Sequence, residues 1–202
     1  MAVRKPDGGL RIAVVNQSST TIQPYVIDAI QRQLDEHFSP VWNRTATLRL
    51  IDDANQLRPN EACAQLLDHT DYPGLLGYHF CAANGAPGLR VFARTASDYG
   101  QEFSAVLSHE ILETTGNPWV NAAVLQNLGK GSGILYSMEV CDPVERTFYQ
   151  IDGVTVSNFV TPQYFLGNSR APYDYLGLLS TPMRPAVDGN QRMQAVSGLP
   201  SL

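Results

Sequence analysis

FSAVLSHEILETTGNP, residues 103–118, reads as one helix with a stop signal at its end. Phe103, Val106, Leu107, Ile111 and Leu112 spread around the whole helical wheel, so no face is left for solvent and the helix must be packed on every side. Into this apolar cylinder are set His109, Glu110 and Glu113. A helix advances about 100° per residue, so His109 and Glu113, at i and i+4, share a face one turn apart, with Glu110 beside them. Carboxylates in apolar surroundings keep their charge only beside a compensating one. A bound cation supplies it, and the spacing is that of a helix carrying two metal ligands.

A second acidic element follows at residues 136–143, YSMEVCDP. The run Ile134 to Cys141 is strand-like, and side chains alternate along a strand, so Glu139 and Cys141 face one way and Asp142 the other. For both acids to reach one metal the chain must turn at Cys141 to Pro143, where the proline makes a strand exit natural.

HEILE resembles the HExxH helix of the zincin metallopeptidases with Glu in place of the second His. That resemblance implies that His109 and Glu113 are metal ligands and that Glu110 is the general base for the metal's water. Gly116 stands where the metzincin branch has its helix-ending glycine, whereas Trp119 occupies that branch's third-His position, so a third ligand must come from elsewhere. The wider pattern, SHEILETTGNPWVN and then MEVCDP, is similar to uncharacterised bacterial proteins and to the plant Exordium-like family, which carry HExxE, Asn-Pro, Asn and a Glu-x-x-Asp element. By that resemblance Glu139 is the third ligand, and Asp142 is a fourth ligand or an acceptor that orients His109. The zincin order of elements also sets the substrate-binding edge strand just before the strand leading into the motif helix. This brings His79 to the cleft as a substrate contact, against the plainer reading of a satisfied core histidine.

One divalent metal is expected. Zn²⁺ suits the imidazole, and Ca²⁺ or Mn²⁺ suits the oxygen-rich remainder. A neutral imidazole with two carboxylates cancels the cation, and a third carboxylate leaves the site anionic, which weakens its grip on a carbonyl and its effect on water. Two functions follow: a peptidase working through metal-activated water on a peptide added to the edge strand, or an inactive, metal-stabilised binding or assembly module on a zincin-like scaffold. A cysteine hydrolase built on Cys141 is disfavoured, because the adjacent Asp142 opposes a thiolate. Tyr136, Tyr149 and Tyr164 are candidate transition-state donors, though packing explains each as well. Asn117 and Asn121 read as caps or loop braces, and His37 and His69 as surface residues.

With 202 residues and 16% charged side chains the chain is long enough for one domain with a real core. A net charge of −5 without a basic run argues against nucleic acid and anionic membrane as partners. No apolar run nears the roughly 20 residues of a membrane span, and RIAVV at 11–15 is too short for a signal h-region, so a cytoplasmic protein, or one exported by a non-classical route, is expected. Cys63, Cys81 and Cys141 are too scattered for a disulfide framework.

The expected architecture is α+β and zincin-like: a mixed, mostly parallel sheet packed on a backing helix and the buried metal-site helix, with a β-hairpin region towards the C-terminus. In chain order this means a polar arm at 1–9, a strand at 10–15, and a helix from Pro24 through Val26, Ile30, Leu34 and Phe38 to Ser39-Pro40. A strand at 46–51 follows, then a short helix within 60–68, strands at 75–81 and 89–93 around an Asn84-Gly85 turn, and the motif helix directly after. Beyond it come a flexible GKGSG loop at 129–133, a hairpin about Asp152-Gly153 and an irregular tail at 181–202 offered to protein assembly.

Overall fold

A computed structural model describes residues 9–167 and 169–197, so the expected N-terminal arm, Gly9 apart, and the last five residues of the expected tail lie outside the described residues. The main sheet has five strands, β1 (Leu10–Asn16), β2 (Ala46–Ile51), β3 (Ala62–Leu67), β4 (Gly77–Cys81) and β5 (Pro87–Phe92), in the order β2-β1-β3-β5-β4. β1 pairs in parallel with β2 and β3, and β3 with β5; β4 closes one edge antiparallel to β5. The fold is therefore α+β with a mixed, mostly parallel sheet.

β3 replaces the helix expected within 60–68. ACAQLL holds good helix formers, but Ala62, Ala64 and Leu66 are buried in strict alternation, and the strand lies between β1 and β5 in the middle of the sheet. Two parallel neighbours outweigh the local preference. The backing helix also differs from expectation. α1 (Pro24–Arg32) passes into a π-helical stretch, Gln33–Phe38, and then into α2 (Ser39–Trp42). Pro40 does not end it, because it falls in the first turn of α2, where a missing N–H costs nothing. The stop comes at Asn43, whose φ is 51°.

A short helix, α3 (Ala93–Asp98), intervenes before α4 (Phe103–Gly116), which holds the motif. The hairpins follow: β6 (Ala123–Gly129) with β7 (Ser132–Ser137), and β8 (Phe148–Ile151) with β9 (Val154–Ser157) about Asp152 and Gly153, both at positive φ. GKGSG is thus the turn of the first hairpin rather than a free loop. Nor is 181–202 wholly irregular, since β10 (Met193–Ser197) pairs antiparallel with β7 in a three-stranded sheet.

α1 and α4 share one face of the main sheet: Ile12, Val14, Leu66, Leu89 and Val91 meet Ile30 and Leu34 from one side and Leu107 and Ile111 from the other. The opposite side of α4 is covered by β9. Ser108 Oγ accepts the Ser157 N–H at 2.7 Å, and Ser104 Oγ donates to the Thr155 carbonyl at 2.9 Å. A helix filled between sheet and hairpin has no solvent side, which is why its apolar residues run all the way round. Among the described residues, no helix is long and apolar enough to cross a membrane.

At the far edge of the sheet, buried Glu61 is gripped by Arg49, whose Nη2 lies 2.6 Å from Oε2 and Nε 3.2 Å from Oε1. The guanidinium's hydrogen bonds hold the Glu61 carboxyl down at about 2. Its stabilisation is therefore complete above the unfolded carboxylate pKa, about 4.3, and is lost as pH falls toward 2. In urea denaturation followed from pH 5 to 2, Glu61→Gln is expected to give a shallower loss of stability than the wild type; parallel curves would mean that the pair contributes nothing.

Candidate metal centre

Three segments meet at the C-terminal half of α4. α4 itself carries His109, Glu110 and Glu113. β4 runs along it, and because side chains alternate, Gly77 and His79 face the helix while Tyr78 and Phe80 lie beneath Arg90 on the other face. The third segment leaves β7 at Ser137, before Glu139, and enters a 3-10 turn at Asp142–Val144. The strand expected to reach Cys141 stops four residues early, so strand alternation does not govern Glu139 and Asp142. The loop instead wraps the end of Glu113, whose Oε1 accepts the N–H groups of Cys141 and Asp142 at 3.2 and 3.3 Å.

His109, Glu113 and Asp142 form one cluster: His109 Nε2 stands 3.4 Å from Glu113 Oε1 and 3.4 Å from Asp142 Oδ1. His79, Glu113 and Glu139 form another. Here His79 Nδ1 is 3.3 Å from Glu113 Oε2, and Nε2 is 3.5 Å from Glu139 Oε2. These separations exceed an ordinary N–H···O bond, about 2.7–3.2 Å. They match the edge of a tetrahedron of ligands roughly 2.05 Å from its centre, which is about 3.3 Å. His79 Nε2, Glu110 Oε2 and Glu139 Oε2 are buried with no hydrogen-bond partner among the described residues. Such orphans are costly unless something else meets them. The donor set, imidazole nitrogen with carboxylate oxygen, suits a divalent cation.

The electrostatics point the same way. Burial opposes charge on Glu110 and raises its carboxyl above the usual range. Burial and the charge of Glu113 push Glu139 up to about 7, and the same two causes raise Asp142. Glu113 alone goes down: burial works against its charge, but His109 and His79 outweigh it. Against their own burial, the surrounding carboxylates drive His79 up to about 10 and raise His109 as well. The cleft is thus short of positive charge, and either cations or protons on its imidazoles make up the deficit.

His79, expected as a substrate contact, lines the cleft and has its ring between the ligand-type groups Glu113 and Glu139. Asp142 rather than Glu139 is the acid beside His109. Two rim groups had not been anticipated, Glu145 and Arg192, which border the same cleft of about 160 Å³. Arg192 comes from the segment leading into β10, some fifty residues beyond the motifs, and no local pattern marks it. The three candidate tyrosines stay outside the cleft lining: Tyr136 donates to Gln126, Tyr149 meets Gln33 and His37, and Tyr164 is packed in a separate core. His37 is accordingly no free surface residue; it stacks on Tyr175 at 4.8 Å. Asn117 braces the loop, accepting the N–H groups of Asn121 and Ala122. Cys141 is fully buried, and its thiol is pushed well up, which leaves no thiolate to act as nucleophile.

Compared with protein-family models, curated proteins and solved structures, the chain matches none.

Gly77 is what lets β4 lie this close to the motif. A Cβ there would stand 2.8 Å from Glu110 Oε1 and 2.9 Å from both Glu110 Cγ and Val106 Cγ1. Gly77→Ala is expected to lower stability by about 1–3 kcal/mol, the usual cost of overpacking, read from the urea midpoint. An unchanged midpoint would show that Glu110 has room to retreat.

Proposed function

We propose that the chain is a zincin-like, metal-dependent peptidase whose ligands are His109, Glu113 and Asp142 and whose general base is Glu110. The observation that carries this reading is the His109–Glu113–Asp142 cluster, with its two imidazole-to-carboxylate separations of 3.4 Å, beside a buried Glu110 that keeps one oxygen unpartnered. The antiparallel edge strand β4 alongside the motif helix supports the reading, as that is where zincins take their substrates. Among the described residues β4 pairs only with β5, which leaves its other edge for an extended peptide.

A divalent cation bound by these ligands supplies Lewis acidity, polarising a carbonyl and making water a better nucleophile. The chain's own residues do the rest. Glu110, whose carboxyl burial raises above the usual carboxylate range, takes a proton from the attacking water and returns it to the leaving amine. Two backbone N–H groups fix the Glu113 carboxylate in place. β4 aligns the peptide by main-chain hydrogen bonds, so side-chain preference falls to the rim, where Glu145 and Arg192 offer opposite charges. Zn²⁺ is the proposed ion, with Mn²⁺ or Ca²⁺ as the harder alternatives.

The crowd of carboxylates favours a second reading, a metal-stabilised binding module with little turnover, because negative ligands blunt a cation's acidity. One set of measurements separates the two. Purified protein is expected to hold at least one divalent ion per chain by elemental analysis, and Glu113→Ala to lose it. Glu110→Gln should keep the metal and lower peptide cleavage by about 10²–10⁴-fold. A metal-loaded wild type that cleaves nothing in a broad peptide library would leave the binding module; a metal-free wild type of equal stability would end both readings.

A further inference from the structure

The geometry points to a second cation position, formed by His79, Glu113 and Glu139, that shares Glu113 with the first. This rests on the metal-centre reading above and extends it from one ion to two. The two clusters use opposite oxygens of the same carboxylate: Glu113 Oε1 faces His109, and Glu113 Oε2 faces His79. One ligand-type atom from each of His79, Glu113 and Glu139 lies within 4.8 Å of the others, as in the first cluster. Paired metals in hydrolytic sites lie about 3.5–4 Å apart, a spacing that a carboxylate spans when each oxygen takes one ion.

Two independent observations favour an ion here over a packed histidine. First, His79 Nε2 and Glu139 Oε2 both lack hydrogen-bond partners among the described residues, although both side chains are more than nine-tenths buried. Ser137 Oγ donates to Glu139 Oε1 at 3.0 Å, which fixes the carboxylate with its unpartnered oxygen aimed at His79. Were Nε2 simply satisfied by its neighbours, Glu139 Oε2 would stand nearer than the 3.5 Å observed.

Second, charge in the cleft balances at two divalent ions. Glu110, Glu113, Glu139 and Asp142 bring four negative charges, while Glu145 and Arg192 at the rim cancel each other. One divalent ion bound by neutral imidazoles leaves two negative charges uncompensated in a largely buried site, and a second removes them. The rival is a protonated His79 serving as the countercharge. It cannot then be a ligand, since the imidazolium has no free lone pair.

The test is stoichiometry rather than turnover. The full chain is dialysed against Zn²⁺, freed of excess and analysed for metal per chain; it is expected to hold two ions, whereas His79→Gln and Glu139→Gln each hold one. Two variants guard against a folding defect in either, and near-ultraviolet circular dichroism confirms packing. A wild type that holds one ion, with His79→Gln unchanged, would overturn the second position and leave the peptidase reading standing. A wild type that holds none would overturn both. Mn²⁺ loading tests the shared carboxylate: two ions bridged by Glu113 give an exchange-coupled electron paramagnetic resonance spectrum, and two independent six-line signals would show that the ions do not share it.

Discussion

Everything about this site follows from burying acids in a helix that has no solvent face. α4 is closed in by β4 and β5 on one side and by β9 on the other, yet it carries Glu110 and Glu113 with their carboxylates almost wholly out of water. Ions in such surroundings cost several kcal/mol each unless opposite charge meets them. The fold brings that opposite charge only in part, through two imidazoles, and then adds Glu139 and Asp142 to the same space. Among the described residues that line the cleft there is no lysine, and the one arginine, Arg192, stays at the rim. A protein that wanted only a stable core would not collect acids in this way, and replacing such a group by apolar residues is commonly neutral or stabilising.

The parts of this arrangement that were legible in the sequence are those that local pattern controls. All-round apolarity marked α4 as buried, and i, i+4 spacing put His109 and Glu113 on one face. Asp152-Gly153 declared its hairpin because left-handed backbone there needs residues that tolerate it. The less legible parts depend on partners distant in sequence. Ala62–Leu67 is composed like a helix and becomes a strand because β1 and β5 pair with it on both sides. Glu139 and Asp142 were tied to a strand that ends at Ser137, so their convergence on Glu113 comes from a loop no periodicity describes. His79 was placed at the cleft by the order of elements, but its distance from Glu113 and Glu139 is fixed by β4 pairing with β5, and only coordinates give it. Residue types announced a metal-like chemistry; tertiary pairing decided which acid stands beside which histidine.

Cleft and scaffold divide the work between them. The main sheet supplies a wall and, among the described residues, the unpaired edge of β4; α4 supplies His109, Glu110 and Glu113, and the loop between β7 and β8 supplies the acids that complete the clusters. Because Cys141 and Asp142 hold Glu113 through backbone N–H groups, the loop's position and the carboxylate's position are one variable. Side-chain variation at Cys141 would leave that link intact, since the donors belong to the main chain.

The Ser157 residue at the end of β9 has a mechanical role. Its N–H goes to Ser108, the residue before His109, and its carbonyl receives Gln33 Nε2 at 2.7 Å from the π-helical stretch of the long helix. A single residue of the hairpin is thereby clasped from both helices, through its own N–H and carbonyl, like a splint tied at two points. Twisting α4 about its own axis, the motion that would swing His109 away from Asp142, has to tear that clasp first. The pitch of the histidine is thus set from behind, by a serine and a glutamine that never touch the acids in front.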